Sequence, residues 1–288
     1  MSGAVVPARA KLNLSIDVLQ RRPDGYHDLK MVMQTVELAD ELYLELREPG
    51  YFHAETNLSF LPSDGRNVAI KAAKAFFEEA GIESGVYMKI EKRIPVCAGL
   101  GGGSSDAAAV IRALNEMTGS PLGRERLLKV ATEAGSDVPF CLVGGTALVE
   151  GRGELITPLP PLPDIPVVIC MPRFNCQTPA LFARLDRIRT RCRPDTEGLV
   201  DAVKAGDIQG VARRMYNVFE DVLDTHGSKE VSEIKRFLLE HGALSTLMSG
   251  SGSAVYGIFT DGDAAAKAAK GARSVSRSVF LTSMCRAG

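Results

Sequence analysis

Residues 97–115 read CAGLGGGSSDAAAVIRALN, placing four glycines, two serines and one carboxylate directly ahead of an apolar run. Glycine weakens both helices and strands, so a cluster of it beside a helix needs a use. Tight glycine turns free backbone N–H groups to point at one anion and leave room for a bulky phosphate. A helix starting directly afterwards adds free N–H groups and the positive end of its dipole. Ser104 and Ser105 are placed to offer hydroxyls to a phosphate, and Asp106, read as first-turn, suits the dipole. A Walker loop would close on Gly-Lys-Ser/Thr, and no lysine stands here. A dinucleotide fingerprint fits poorly, because from Gly99 the pattern runs Gly-x-Gly-x-x-Ser. Two readings stay open: a structural turn with a capped helix, or a phosphate cradle that draws its cation from elsewhere. The glycine density favours the cradle.

A phosphate cradle holds a donor but does not activate an acceptor. Phosphoryl transfer also needs neutralised charge and a hydroxyl made ready to attack. Lys11, beside Asn13, is one candidate for the missing charge, although its pattern alone better describes an ordinary solvated lysine. Asp137, in GSDVPF, follows a helical stretch in a turn set by Pro139 and reads either as a turn cap or as a base. Tyr26 and His27 follow the turn Pro23-Asp24-Gly25. An aromatic ring stacks on a base and an imidazole reads its polar edge, but a half-buried aromatic pair has the same spelling.

The elements that must position these residues follow from periodicity. In AKLNLSIDVL, residues 10–19, Ala10, Leu12, Leu14, Ile16 and Val18 alternate with Lys11, Asn13, Ser15 and Asp17, which predicts a half-buried strand. Further strands are expected at 31–38, 42–48 and 86–93, and a helix at 66–81 closed by Gly81. Helices are expected at 104–118 and 123–135, then a strand near 144–151. Five prolines in TPLPPLPDIP, 157–166, mark an extended connector. Beyond it the pattern gives a strand at 167–172, helices at 179–190, 207–223 and 228–241, and then strand, turn, strand, helix, strand. That order suggests a small antiparallel sheet backed by helices. The fold class is α+β, in two domains, 1–160 and 161–288.

Composition narrows the class. Lys plus Arg number 34 and Asp plus Glu 35 among 288 residues, so nothing electrostatic argues for nucleic acid or an anionic membrane. The six cysteines include no Cys-x-x-Cys pair and the four histidines are scattered, so no zinc site is expected. The N-terminal residues lack a basic stretch followed by a long apolar one, and no apolar run approaches the ~20 residues of a bilayer span. Reduced thiols and a cytoplasmic location are the expectation.

PVCAGLGGGSSDAA, 95–108, resembles the phosphate loop of the GHMP kinase superfamily, the relatives of galactokinase, homoserine kinase and mevalonate kinase. AKLNLSIDVLQRRPDGYHDL, GSDVPFC and MSGSGSAVYGIF extend the resemblance from residue 10 to residue 259, in the family's order. The resemblance implies a two-domain fold, with an N-terminal domain like ribosomal protein S5 domain 2 and a C-terminal ferredoxin-like sheet with helices. The active site would lie in the cleft between them. It implies an ATP-dependent small-molecule kinase using Mg²⁺, with the nucleotide on Pro95, Val96, Cys97, Ala98, Gly99, Leu100, Gly101, Gly102, Gly103, Ser104 and Ser105. Lys11 would be the active lysine and Asp137 the general base. The acceptor it implies is a cytidine-diphosphate-linked methylerythritol. Tyr26 and His27 would meet the cytosine, Phe182 would sandwich it against Tyr26, Thr178 would contact the substrate, and Asn13 would hold it near the transfer site. Gly250 and Gly252 would let the 248–259 turn abut the phosphate loop, and Asn67 is a candidate for the adenine pocket. Val96 and Cys97 stand where the family commonly has methionine and glycine. Magnesium ligands and oligomeric state are not assigned. Two rivals are a homoserine or mevalonate type of kinase and a nucleotide-binding regulator without catalysis.

Overall fold

The structure, a computed structural model, describes residues 3–188 and 192–286. The chain forms two compact units. Unit 1 comprises residues 1–10, 38–96 and 101–143, and unit 2 comprises 11–37, 97–100 and 144–288. Two long strands, β1 (Ala4–Arg21) and β2 (His27–Arg47), contribute residues to both.

In unit 1, β3 (Phe52–Thr56) runs parallel to β4 (Gly85–Glu91), and β4 runs antiparallel to the second half of β2, with Leu42 opposite Ile90. Four helices belong to this unit: α1 (Val68–Ala80), α2 (Gly102–Met117), α3 (Arg124–Ala134) and α4 (Val138–Val143). Alternate residues of β2 and β4, such as Leu42, Leu44, Met88 and Ile90, share one core with Phe76, Phe77, Val110, Leu114 and Val130 of the helices. Asn67 caps α1 by accepting the N–H of Ala69, and Gly81 ends the helix in the left-handed region. The Asn67 amide also donates to the Pro62 carbonyl, so both ends of that side chain serve the fold.

In unit 2, the first half of β2 pairs antiparallel with β5 (Thr146–Gly151), which pairs with β6 (Leu155–Pro158). A second sheet has the order β11-β7-β10-β9 and is antiparallel throughout. It consists of β7 (Pro166–Met171), β9 (Ser245–Met248), β10 (Val255–Ile258) and β11 (Ser278–Ser283), as the strand-turn-strand-helix-strand order suggested. The remaining elements are α5 (Thr178–Leu185), α6 (Thr196–Lys204), α7 (Ile208–Arg214), a two-residue β8 (Tyr216–Asn217), α8 (Thr225–Glu240) and α9 (Gly262–Gly271).

Several expectations change. The strands expected at 31–38 and 42–48 are one 21-residue strand. The helix expected over 207–223 stops at Arg214; extended residues and a 3-10 turn at Val218–Val222 replace its second half. Asn217 explains the break. Its side chain accepts from the Phe219 N–H and donates to the Met248 and Gly250 carbonyls, contacts a continuous helix would not allow. The expected helix at 179–190 ends at Leu185, and its last two positions lie outside the described residues. Strand β1 is not half-buried: Lys11, Asn13, Ser15 and Asp17 are all buried. On the polar face Lys11 donates to the Asn13 side chain and Arg193 to Asp17, the Ser15 hydroxyl is buried without a partner among the described residues, and the Tyr256 hydroxyl donates to the Asn13 carbonyl.

Candidate active site

The glycine loop is built from left-handed steps at Cys97 (φ 56°), Gly99 (φ 76°) and Gly101 (φ 71°). Within unit 2, the carbonyls of residues 98–100 are each occupied. That of Ala98 accepts the Ala254 N–H (3.0 Å), that of Gly99 the Ser249 hydroxyl (2.9 Å), and that of Leu100 the Lys11 N–H (3.0 Å). With the acceptors turned into the fold, donors are what the loop has to offer. The 249–254 turn fits so closely that a Cβ on Gly99 would lie 2.0 Å from the Ser249 carbonyl oxygen. The plain-connector alternative for this turn therefore gives way to one in which it buttresses residues 98–100.

Lys11 is buried and its ammonium donates to the Asn13 side-chain oxygen at 2.7 Å. A Cβ on Gly250 would lie 3.3 Å from that ammonium and 3.2 Å from the Gly99 carbonyl. Lys11, Asn13, Gly99 and Gly250 thus form one cluster in unit 2, and the solvated-lysine alternative does not hold.

In unit 1, Gly101 caps α2 without a side chain, and the amides of Gly102, Gly103 and Ser104 have no acceptor within the helix. A Cβ at Gly103 would meet nothing within 4 Å, so open space faces the helix start. Ser104 is half-buried. The Ser105 hydroxyl is buried and donates to the Arg9 carbonyl at 2.7 Å, so it is committed to the fold. Helix α2 begins at Gly102, which puts Asp106 beyond the first turn. It is buried against Lys92 rather than solvated at the dipole. Asp137 is half-buried, and its carbonyl accepts the Cys141 N–H. It opens helix α4, with Pro139 in the first turn, where the sequence suggested a plain turn.

The aromatic residues assemble in unit 2. The His27 ring stacks on Phe182 with centroids 4.7 Å apart, and Phe182 meets Phe219 edge-on at 5.0 Å. His27 Nε2 lies 2.7 Å from Asp186 Oδ1. Tyr26 is 54 % exposed and lies under the Arg152 guanidinium, 4.9 Å from its ring centroid. The Thr178 and Ser251 hydroxyls are 2.6 Å apart. Sequence reasoning passed over Asp186, Arg152 and Lys92. None carries a local motif, and only tertiary contact marks them.

No helix among the described residues is long and apolar enough to cross a membrane. Two family models match the chain, "GHMP kinases N terminal domain" at residues 67–145 and "GHMP kinases C terminal" at 199–277. This is the class that the two-part α+β fold and the glycine loop define. A homoserine kinase from Cytophaga hutchinsonii shares the fold at a TM-score of 0.79 with 22% identity, covering 99% of this chain and 95% of its own. A crystal structure of 4-(cytidine 5'-diphospho)-2C-methyl-D-erythritol kinase gives the same TM-score with 33% identity, covering 99% of this chain and all of its own. Fold alone does not separate these two. Sequence does: the 4-diphosphocytidyl-2-C-methyl-D-erythritol kinase of Caldicellulosiruptor saccharolyticus is 40% identical over 98% of this chain and 97% of its own. That of Exiguobacterium sibiricum is 42% identical over 96% of each. The chain belongs to the 4-diphosphocytidyl-2-C-methyl-D-erythritol kinase family.

Proposed function

We propose that the chain transfers the γ-phosphoryl group of ATP to the 2-hydroxyl of 4-diphosphocytidyl-2-C-methyl-D-erythritol, a cytoplasmic step of the non-mevalonate route to isoprenoid precursors. The products are the 2-phosphate and ADP. The observation that carries this reading is the 40% identity with that family over 98% of the chain, joined to a glycine loop whose carbonyls at 98–100 are turned into the fold and to the first amides of α2, which have no acceptor within the helix. Residues 1–160 serve as the ATP-binding and catalytic domain and 161–288 contribute to substrate binding. The two family models fall on either side of that boundary.

In this reading the triphosphate lies along residues 95–105, with the helix dipole and free amides of α2 facing its charge. The acceptor oxygen attacks the γ-phosphorus, its proton passes to the Asp137 carboxylate, and the bond to the ADP oxygen breaks. Lys11, held by Asn13, stabilises the negative charge that develops. Tyr26, His27 and Phe182 receive the cytosine, and Thr178 contacts the substrate. Arg152, over Tyr26, supplies positive charge beside the base for the diphosphate that follows it. Magnesium, bound with the nucleotide, would neutralise phosphate charge. Among the described residues there is no group of three or more His, Cys, Asp or Glu arranged to hold an ion, and no step is assigned to the metal.

The test is turnover of Asp137→Ala with ATP and the cytidine substrate. A loss of ~10²- to 10⁴-fold with the fold retained is expected, the usual worth of a positioned base. Near-normal turnover would remove Asp137 from the mechanism.

A further inference from the structure

Beneath the start of α2 lies a buried group of three ionisable side chains that the mechanism above does not use. The Lys92 side chain is 4 % exposed, that of Asp40 is fully buried, and that of Asp106 is 7 % exposed. Lys92 donates to Asp40 and, at 2.6 Å, to Asp106. Asp40 also accepts the N–H groups of Arg93 (2.5 Å) and Ile94 (2.8 Å) through its other oxygen. One carboxylate on β2 therefore fixes residues 92–94, and Lys92 in turn fixes Asp106 on α2. These are the two ends of the glycine loop. The first residue of α2 rests on the group, since a Cβ on Gly102 would lie 3.2 Å from Ile94 and 3.4 Å from the Lys92 ammonium.

A buried ion cluster is a poor way to gain stability, because desolvation offsets its attraction and apolar replacements often fold as well or better. This cluster also leaves Asp106 Oδ1 buried without a partner. Burial pushes the Asp106 carboxyl up, the Lys92 ammonium pulls it back and the neighbouring Asp40 pushes it up again, to about 7. Burial also pulls Lys92 down, but its two carboxylates outweigh that and hold it above the usual lysine range. The other elements packed on α2, namely α1, α3 and α4, present apolar faces such as Phe76, Phe77, Val130 and Val138. What the cluster does provide is closure. A loop with three left-handed residues loses backbone entropy at every residue when ordered. Joining its ends beforehand removes part of that cost from ligand binding.

We propose that Asp40, Lys92 and Asp106 are positioning residues for the nucleotide, a clasp that closes the base of the glycine loop and aims the first amides of α2. The clasp has this role only if nucleotide binds at that loop, as proposed above.

The test uses ADP binding by calorimetry, the KM for the cytidine substrate, and the melting temperature. Asp106→Ala cuts the tie to α2 while leaving Lys92 paired with Asp40. ADP affinity should fall about tenfold with the cytidine-substrate KM unchanged. Asp106→Asn, which keeps an oxygen for Lys92, should stay within about threefold of wild type. A folded Asp106→Ala protein that binds ADP like wild type overturns the clasp. So does a parallel loss of both affinities with a lowered melting temperature. Should Asp106→Ala fail to fold, Asp106→Leu fills the space with an apolar group and leaves Lys92 paired with Asp40. That protein should fold yet bind ADP about tenfold more weakly, and unchanged affinity overturns the proposal. Absence of ADP binding by the wild type would remove the nucleotide-site reading itself.

Discussion

Cys97 is the only member of the glycine loop with both a side chain and a left-handed backbone, at φ 56°. That conformation costs an L-residue ~1–2 kcal/mol and glycine almost nothing, which accounts for glycine being common at this place in similar loops. Part of the gain from Cys97→Gly is lost to the greater freedom of the unfolded chain. A net stabilisation of about 0.5–1 kcal/mol is expected, read from the denaturant midpoint. Asp186 sets another residue-scale expectation. Its carboxylate holds His27 Nε2 at 2.7 Å while Phe182 covers the ring face, so the imidazole has one orientation, and in the proposed reading Nδ1 is the atom offered to the substrate. Asp186→Ala should raise the KM for the cytidine substrate about tenfold and leave that for ATP alone, as loss of a single oriented hydrogen bond does. Equal shifts in both would show that Asp186 acts on the fold instead.

At the scale of elements, the outcome turns on β1 and the turn between β9 and β10. The turn lies on residues 98–100 so closely that Gly99→Ala must displace it: the new Cβ would stand 2.0 Å from a backbone carbonyl, at a φ that L-residues avoid. A destabilisation of ~2–3 kcal/mol and weakened ADP binding are expected, from chemical denaturation and calorimetry. Tyr256, fully buried on β10, donates to the Asn13 carbonyl of β1. Tyr256→Phe removes that buried hydrogen bond and should cost ~0.5–1.5 kcal/mol, read from the denaturant midpoint. These contacts join segments far apart in sequence, 150 residues for Ser249 and Gly99 and 243 for Tyr256 and Asn13. They are why the polar face of β1 was misread. Alternation reports that two faces differ, and says nothing about whether a distant strand covers the second one.

For the whole molecule, the raised Asp106 carboxyl gives a pH dependence with a definite sign. The folded chain keeps this proton up to about pH 7, whereas an unfolded carboxyl releases it near 3.8. Between those values the folded state holds more protons, so the contribution of this group to stability falls as pH rises, and levels off above pH 7. The slope is at most ~1.4 kcal/mol per pH unit. Melting curves of wild type and Asp106→Asn across this range should diverge accordingly, the variant gaining relative stability toward neutral pH. The sequence by itself determined the α+β class, most helices and strands, the position of the glycine loop at the start of a helix, and the family. Each of these is written in residues close together in the chain, where periodicity, glycine conformation and helix polarity act locally. Tertiary structure alone decided which groups surround that loop. It buried Lys11 against Asn13, set Asp186 on His27 and Arg152 over Tyr26, spent the Ser105 hydroxyl on Arg9, and drew Asp40, Lys92 and Asp106 together under α2. Hydrogen bonds and charge pairs depend on distance in space and on exclusion of water, and neither is fixed until the chain has folded.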